Sequence, residues 1–217
     1  MKKSVSDCPL CLDCNAQEYA QDKRDYYLCS HCKLIFVPRT QLISVEDERQ
    51  RYQRHQNESE NASYQAYLSQ IAFACEPHLK KNSHGLDFGC GPSPLLAQIF
   101  TQHGFPTTAF DLFFHPALNY KQQKYDFIIL SEVIEHLRSP REVMTELKTL
   151  LKTGGSIFVK TKFYPERNLF NDWFYKRDST HIQFFSKITC HYLADIQQLK
   201  FVGEIGPDLY QFTDCID

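Results

Sequence analysis

The chain has no apolar run approaching the ~20 residues needed to cross a bilayer. Its start, Met1-Lys2-Lys3-Ser4, lacks the apolar region of a secretory signal. A cytoplasmic protein with no membrane-spanning segment is the expectation. It also lacks a surplus of positive charge: 24 Lys and Arg stand against 26 Asp and Glu, a formal net charge of −2. Nothing global therefore draws the chain to nucleic acid or to anionic lipid. There is no internal repeat and no low-complexity tract. The nine cysteines do not form a disulfide framework either. Their number is odd, Cys8, Cys11, Cys14, Cys29 and Cys32 crowd the start, and Cys75, Cys90, Cys190 and Cys215 are scattered singly. That distribution points to a metal rather than to disulfides.

With 217 residues, 42% of them hydrophobic and 14% aromatic, there is room for one full domain and a small appendage. Two C-x2-C knuckles, Cys8-Pro9-Leu10-Cys11 and Cys29-Ser30-His31-Cys32, are separated by 17 residues. This suits a closed tetrahedral Zn²⁺ site of four thiolates, Cys8, Cys11, Cys29 and Cys32, which leaves no open position for chemistry and is therefore structural. Short strand-like runs, Tyr26-Tyr27-Leu28 and Leu34-Ile35-Phe36-Val37, complete a zinc-ribbon pattern over residues 1–40. So small a module cannot bury a sufficient core, and the metal would supply its folding energy. Cys14 and His31 are alternative ligands, and a redox dithiol pair is the rival reading.

The rest of the chain is organised around Gly85-Leu86-Asp87-Phe88-Gly89-Cys90-Gly91-Pro92, a buried strand that ends in an acid and turns through two glycines into a helix. Glycines at i and i+2 permit a tight turn and a close approach of ligand to main-chain N–H groups. A dinucleotide site would want a third glycine where Pro94 stands, and a pyrophosphate at the helix start would be repelled by Asp87. The ammonium and sulfonium of S-adenosylmethionine are instead attracted by that carboxylate. Asp111, twenty residues past Gly91 at a second strand end, suits the hydroxyls of a ribose.

These pieces, together with Tyr125-Asp126-Phe127-Ile128-Ile129-Leu130, Ser131-Glu132-Val133-Ile134-Glu135-His136 and Leu150-Leu151-Lys152-Thr153-Gly154-Gly155, resemble the class I S-adenosylmethionine-dependent methyltransferases over roughly residues 45–217. The resemblance implies an α/β, Rossmann-like, doubly wound, mostly parallel sheet with a closing antiparallel hairpin, preceded by the small zinc ribbon. Residues 41–84 are then a helical linker or lid, and residues 85–217 the S-adenosylmethionine-binding methyltransferase domain. It implies Asp87, Phe88, Gly89, Cys90, Gly91, Asp111, Leu112, Ser131 and Glu132 as cofactor contacts. Tyr52, His55 and Asn57 are read as a lid over the methionine end, where many relatives place an aromatic residue. The product would be S-adenosylhomocysteine.

Strands are expected at 85–88, 106–110, 127–130 and 156–160, with a closing pair at 201–205 and 209–212. Tyr64, Tyr67, Leu68, Ile71, Ala72 and Cys75 recur at helical spacing up to Glu76-Pro77. Ser139-Pro140-Arg141-Glu142 reads as a capping box opening a helix with Val143, Leu147, Leu150 and Leu151 as its buried stripe, and Gly154-Gly155 as its stop. Ser186 is positioned to cap a helix that runs to Leu199. Only thirteen residues separate Asp111 from Tyr125. The helix, strand and adenine-contacting acid that most members of the resembled family carry there do not fit, so either 112–116 contact the adenine or no residue of this stretch does.

Methyl transfer needs donor and acceptor aligned and a proton removed from the acceptor. His136 and His181 are the candidate bases, with Asp178 placed to orient His181. The spacing of Glu132 and His136, and Thr180-His181 followed by aromatics, are similar to segments of ubiquinone-type O-methyltransferases. A metal-dependent reaction through Glu132, Glu135 and His136 is not expected, since these only partly share a helix face. The aromatic segment 163–185 reads as a wall of the acceptor pocket or as core packing. The acceptor is expected to be a small molecule. An rRNA or tRNA methyltransferase is the first alternative, disfavoured by the absence of a basic stripe. A non-catalytic binding module is the second, disfavoured by the intact Asp87, Gly89, Gly91 and Asp111.

Overall fold

Parallel strands buried on both faces read as near-continuous apolar runs, and Tyr125–Ser131 is one, with Phe127, Ile128, Ile129 and Leu130 fully buried. A computed structural model describes residues 7–13, 15–53, 61–116 and 118–215. In chain order the strands are β1 (Ala16–Gln21), β2 (Asp25–Cys29), β3 (Ile35–Phe36), β4 (Gly85–Phe88), β5 (Thr107–Phe110), β6 (Tyr125–Ser131), β7 (Leu151–Lys160), β8 (Gln183–Phe184), β9 (Leu199–Gly206) and β10 (Leu209–Asp214). The helices are α1 (Val45–Gln53), α2 (Ala62–Cys75), α3 (Leu95–Gln102), α4 (Pro140–Leu150), α5 (Arg167–Phe170) and α6 (Lys187–Gln197). No helix among the described residues is long and apolar enough to cross a membrane.

A six-stranded sheet runs in the order β5-β4-β6-β7-β10-β9. The first four strands are parallel, and β10 is antiparallel to both neighbours, which is the expected closing hairpin. The chain enters at β4 and places β5 on one side and β6 on the other. That change of direction is the switch point outside whose strand ends ligands bind in open α/β sheets. One apolar layer packs α2 and α3 on the sheet through Leu68, Ile71, Leu96, Ile99 and Phe100, and the other packs α4 and α6 through Met144, Leu147, Leu193 and Ala194.

Two of the local expectations fail for a stated reason. The Ser139 side chain caps nothing, so Pro140 alone opens α4. Gly154-Gly155 does not stop that helix: α4 ends at Leu150 and β7 starts at once, with both glycines inside the strand. The register of β6 against β7 shifts between Tyr125 and Phe127, and a Cβ on Gly155 would sit 2.8 Å from the Asp126 carbonyl oxygen. The glycine therefore permits a close strand approach, not a helix stop. Ser186 does cap α6 by accepting from the Thr189 N–H, and Gln198 ends it in the left-handed conformation.

The cysteine segment is not a separate bead. β1, β2 and β3 form an antiparallel sheet that β8 joins as a fourth strand, Ile35 pairing with Phe184 and Phe36 with Gln183. Arg24, between β1 and β2, donates to the carbonyls of Lys176, Asp178, Ser179 and His181 at 2.6–3.0 Å. The first 40 residues thus brace a loop 150 residues downstream.

Candidate active site

Three strand ends meet at one cavity of about 700 Å³. From β4 comes Asp87, 2% exposed, whose Oδ2 has no hydrogen-bond partner among the described residues. Burial pushes its carboxyl up to about 7, and the Asp111 charge adds to the effect. The turn that follows is held to β5, with the Gly89 and Cys90 N–H groups both donating to the Phe110 carbonyl. Gly89 has φ +82°, and a Cβ there would lie 2.7 Å from Val133 Cγ2. From β5 comes Asp111, whose Oδ2 accepts from the Gly91 N–H while Oδ1 accepts from Phe113 and Phe114 N–H. The short 112–116 segment is therefore a tight turn folded on the Asp111 carboxylate, closed by reciprocal main-chain bonds between Asp111 and His115.

From β6 come Ser131 and Glu132. Glu132 has φ +54°, an unfavourable region for a non-glycine residue. Its carboxylate is held there by the hydroxyls of Tyr67 (3.2 Å) and Tyr175 (2.8 Å). A single turn, Ile134–His136, follows in place of a full helix. The left-handed residue and the tight turn bring His136 beside His181, with ring centroids 4.7 Å apart. A continuous helix would not have done so. His136 Nδ1 lies 3.0 Å from the Thr180 carbonyl and His181 Nδ1 lies 2.7 Å from the Tyr175 carbonyl. A carbonyl only accepts, so each Nδ1 carries the proton and each Nε2 carries the lone pair. Burial pushes both imidazoles down, His136 to about 3 with the neighbouring His181 contributing, so both are neutral.

All the described residues predicted from sequence for catalysis or cofactor binding line this one cavity: Tyr52, Asp87, Phe88, Gly89, Cys90, Gly91, Asp111, Leu112, Ser131, Glu132, His136, Asp178 and His181. His55 and Asn57 lie outside the described residues. Asp178 does not contact the His181 ring through a hydrogen bond. Its oxygens accept from Arg51 at 2.8 and 2.9 Å and from Thr180, and these bonds hold its carboxyl well below the usual range against the opposing effect of burial. The orienting group of His181 is the Tyr175 carbonyl instead. Asp178 thereby ties α1 over the cavity, where Tyr52 packs edge-on against His136. The sequence places Tyr67 only in a helical stripe and Glu135 only in a disfavoured metal reading, and it gives no sign of their contacts to Glu132 and Tyr175. Tyr175 lay in an aromatic run in which wall and core cannot be told apart from spacing alone.

The four cysteine thiols Cys8, Cys11, Cys29 and Cys32 lie within 4.8 Å of one another. The two knuckles fold alike: Leu12 N–H donates to Cys8 O and Lys33 N–H to Cys29 O, and Leu12 and Lys33 both have positive φ, +64° and +58°. Cys14 is outside the described residues, and the His31 ring faces Asp13 and Tyr192.

The switch point of the doubly wound sheet thus presents a glycine turn, an unpaired buried carboxylate and a second acid at the next strand end. Residues 52–195 match the methyltransferase domain family, and the chain belongs to it. No curated protein matches the chain significantly. Among solved structures, the fold is similar to 1,6-didemethyltoxoflavin-N1-methyltransferase from Burkholderia thailandensis, solved with 1,6-didemethyltoxoflavin and S-adenosylhomocysteine (TM-score 0.57, 13% identity, 92% of this chain and 98% of that one). It is also similar to CalO1, a methyltransferase in calicheamicin biosynthesis in its S-adenosylhomocysteine-bound form (TM-score 0.53, 13% identity, 78% and 59%). A third is CalS10 from Micromonospora echinaspora, an amino pentose methyltransferase with S-adenosylmethionine bound (TM-score 0.51, 10% identity, 80% and 98%). The chain thus spans little more than half of CalO1 and nearly all of the other two.

Proposed function

We propose that the protein transfers a methyl group from S-adenosylmethionine to a small-molecule acceptor. The observation that carries this reading is the Asp87 Oδ2 atom, buried and without a partner at the head of the glycine turn. A buried polar atom left unpaired is costly unless a ligand meets it, and a cationic cofactor meets a carboxylate. The charge of the lining agrees: Glu48, Asp87, Asp111, Glu132, Glu146 and Asp178 stand against one lysine, Lys121, among the described lining residues. A pyrophosphate or an RNA backbone finds little to hold it there.

The residues present fit the cofactor. Asp87 takes its positive end, the Gly89–Gly91 turn gives its backbone room, Asp111 takes the ribose hydroxyls, and Leu112 and Phe113 cover the adenine. Leu112 is 70% exposed in the free chain, an apolar side chain awaiting a flat partner. The bound cofactor supplies an activated methyl carbon. Tyr52 and Phe113 close the cavity over it, and His136 and His181 bring uncommitted Nε2 lone pairs to act on the acceptor, either directly or through a bound cation. The domain reading becomes a ribbon of residues 1–40 held by structural zinc, a lid over 41–84 and the transferase from 85 onward, with the ribbon bracing the acceptor loop.

Calorimetric titration against pH tests the cofactor assignment. With the carboxyl of Asp87 near 7 in the free protein, a cation binds well only to the ionised form. Affinity for S-adenosylmethionine is expected to weaken about tenfold per pH unit below neutrality and to level off above it. In Asp87→Asn the affinity should be low and flat with pH. Binding of NAD in preference, or a wild-type profile as flat as the variant's, would refute the assignment.

A further inference from the structure

We propose that Glu135, His136 and His181 form a binding site for a divalent first-row cation, with the two histidines on the cavity wall and Glu135 buried behind them. One ring nitrogen of each histidine and a carboxylate oxygen of Glu135 lie within 4.8 Å of one another. The ligands come from two segments of chain held together by main-chain bonds, Ile182 N–H donating to the Glu135 carbonyl.

The surroundings of the Glu135 carboxylate suit a positive charge. Glu135 is fully buried, and its Oε2 has no hydrogen-bond partner among the described residues. Its Oε1 meets the Tyr175 hydroxyl, which also lies 2.8 Å from Glu132 Oε2. A phenol has one hydrogen and cannot donate to both carboxylates. One of these contacts therefore needs a charge-compensating proton or cation between the two acids, and a cation also satisfies the orphan Oε2.

The histidines are prepared as ligands. A ligating imidazole commonly donates its other ring N–H to a carbonyl or carboxylate, which fixes ring and tautomer. Both do so here, through Thr180 O and Tyr175 O, leaving both Nε2 lone pairs uncommitted to any hydrogen bond among the described residues. Two imidazoles and a carboxylate suit manganese, iron, cobalt or zinc better than magnesium or calcium. Three protein ligands leave open positions, as catalytic sites do. An acceptor hydroxyl entering one of them loses its proton to solvent more readily. Its oxygen then forms the new bond to the methyl carbon as the carbon–sulfur bond breaks and its electron pair stays on sulfur. The site deepens the methyl-transfer reading and rests on it only for its purpose.

The test uses full-length protein with zinc already in its cysteine site, titrated with Co²⁺ alone. One further equivalent is expected, with weak ligand-field bands and no thiolate-to-cobalt charge transfer. Glu135→Gln and His181→Ala should each weaken it by roughly 100-fold. Because either variant may fold poorly, Mn²⁺ is also added to wild-type protein, where it should broaden the ring-proton resonances of His136 and His181 selectively. Absence of the extra equivalent, a charge-transfer spectrum, or unbroadened histidine resonances would overturn the site. Calorimetry with S-adenosylhomocysteine on the same zinc-loaded, cobalt-free sample separates the outcomes. Homocysteine-nucleoside binding without cobalt binding removes only this proposal, and loss of both removes the methyl-transfer reading as well.

Discussion

If the four cysteines hold zinc as proposed, stripping it with a chelator, or replacing Cys29 by serine, is expected to cost the protein its acceptor site as well as its ribbon. Metal binding in such small modules carries roughly 10–16 kcal/mol of apparent free energy, far more than a sheet of β1, β2 and the two-residue β3 can replace. Without the ribbon, β8 loses Ile35 and Phe36 as pairing partners, and the Ile182 carbonyl loses the Val37 N–H. The carbonyls of Lys176, Asp178, Ser179 and His181 lose the Arg24 guanidinium, which reaches all four. Those same residues hold Asp178 toward Arg51 and His181 toward the cavity. Zinc content should fall from one per chain, protease cleavage should appear within 176–183, and methyl transfer should fall by at least two orders of magnitude. The cofactor half stands on β4, β5 and β6, so S-adenosylhomocysteine affinity should change by much less. Retained transfer activity in a zinc-free chain would show that the ribbon does not brace the site. Arg24→Ala reproduces the effect with zinc in place, since it leaves four carbonyls without that donor.

Gly89→Ala is expected to do the opposite, removing cofactor affinity with the acceptor loop intact. At φ +82° an L-residue is strained by about 1–2 kcal/mol. The new methyl also falls 2.7 Å from Val133 Cγ2, so the turn must move. That turn is bonded to Phe110 O through two N–H groups and sets where Asp87 and Gly91 stand. A displacement there should weaken S-adenosylhomocysteine about 100-fold, near 2.7 kcal/mol, and destabilise the free protein by roughly 2 kcal/mol. Calorimetry and denaturant unfolding measure the two separately. Affinity within a factor of three of wild type would mean that the glycine serves the fold and not the ligand. Gly91, with φ +68° and open space around its Cβ position, carries strain but no clash, so its alanine variant should lose less.

The glycine-turn side of the cavity was legible because its signal is local. Asp87, Gly89, Gly91 and Asp111 lie at strand ends that apolar runs reveal, and each does its work within a few residues of its own strand. The acceptor half was legible only as residue types. His136 and His181 were identified as a pair, but the partner assigned to His181 was Asp178, three residues away, when the structure uses the Tyr175 carbonyl. Asp178 instead joins Arg51, 127 positions earlier, a pairing that no spacing rule reaches. Spacing alone disfavours Glu135 as a ligand, because it implies a helix from Glu132 onward. The positive φ of Glu132 and a single following turn redirect the chain, and they follow from tertiary bonds to Tyr67 and Tyr175. The glycines at 154 and 155 misled for a similar reason: glycine after a helix stops it by default, yet here it serves a strand approach that depends on Asp126 across the sheet.

The most direct test of the account follows the methyl group itself. The zinc-loaded protein would be incubated with methyl-labelled S-adenosylmethionine and either a filtered extract of small metabolites or total RNA, with His181→Ala as control. The account predicts label in the small-metabolite fraction, none in RNA, and loss of transfer in the variant. Label in RNA, or transfer to small molecules that the variant performs as well as wild type, would contradict it.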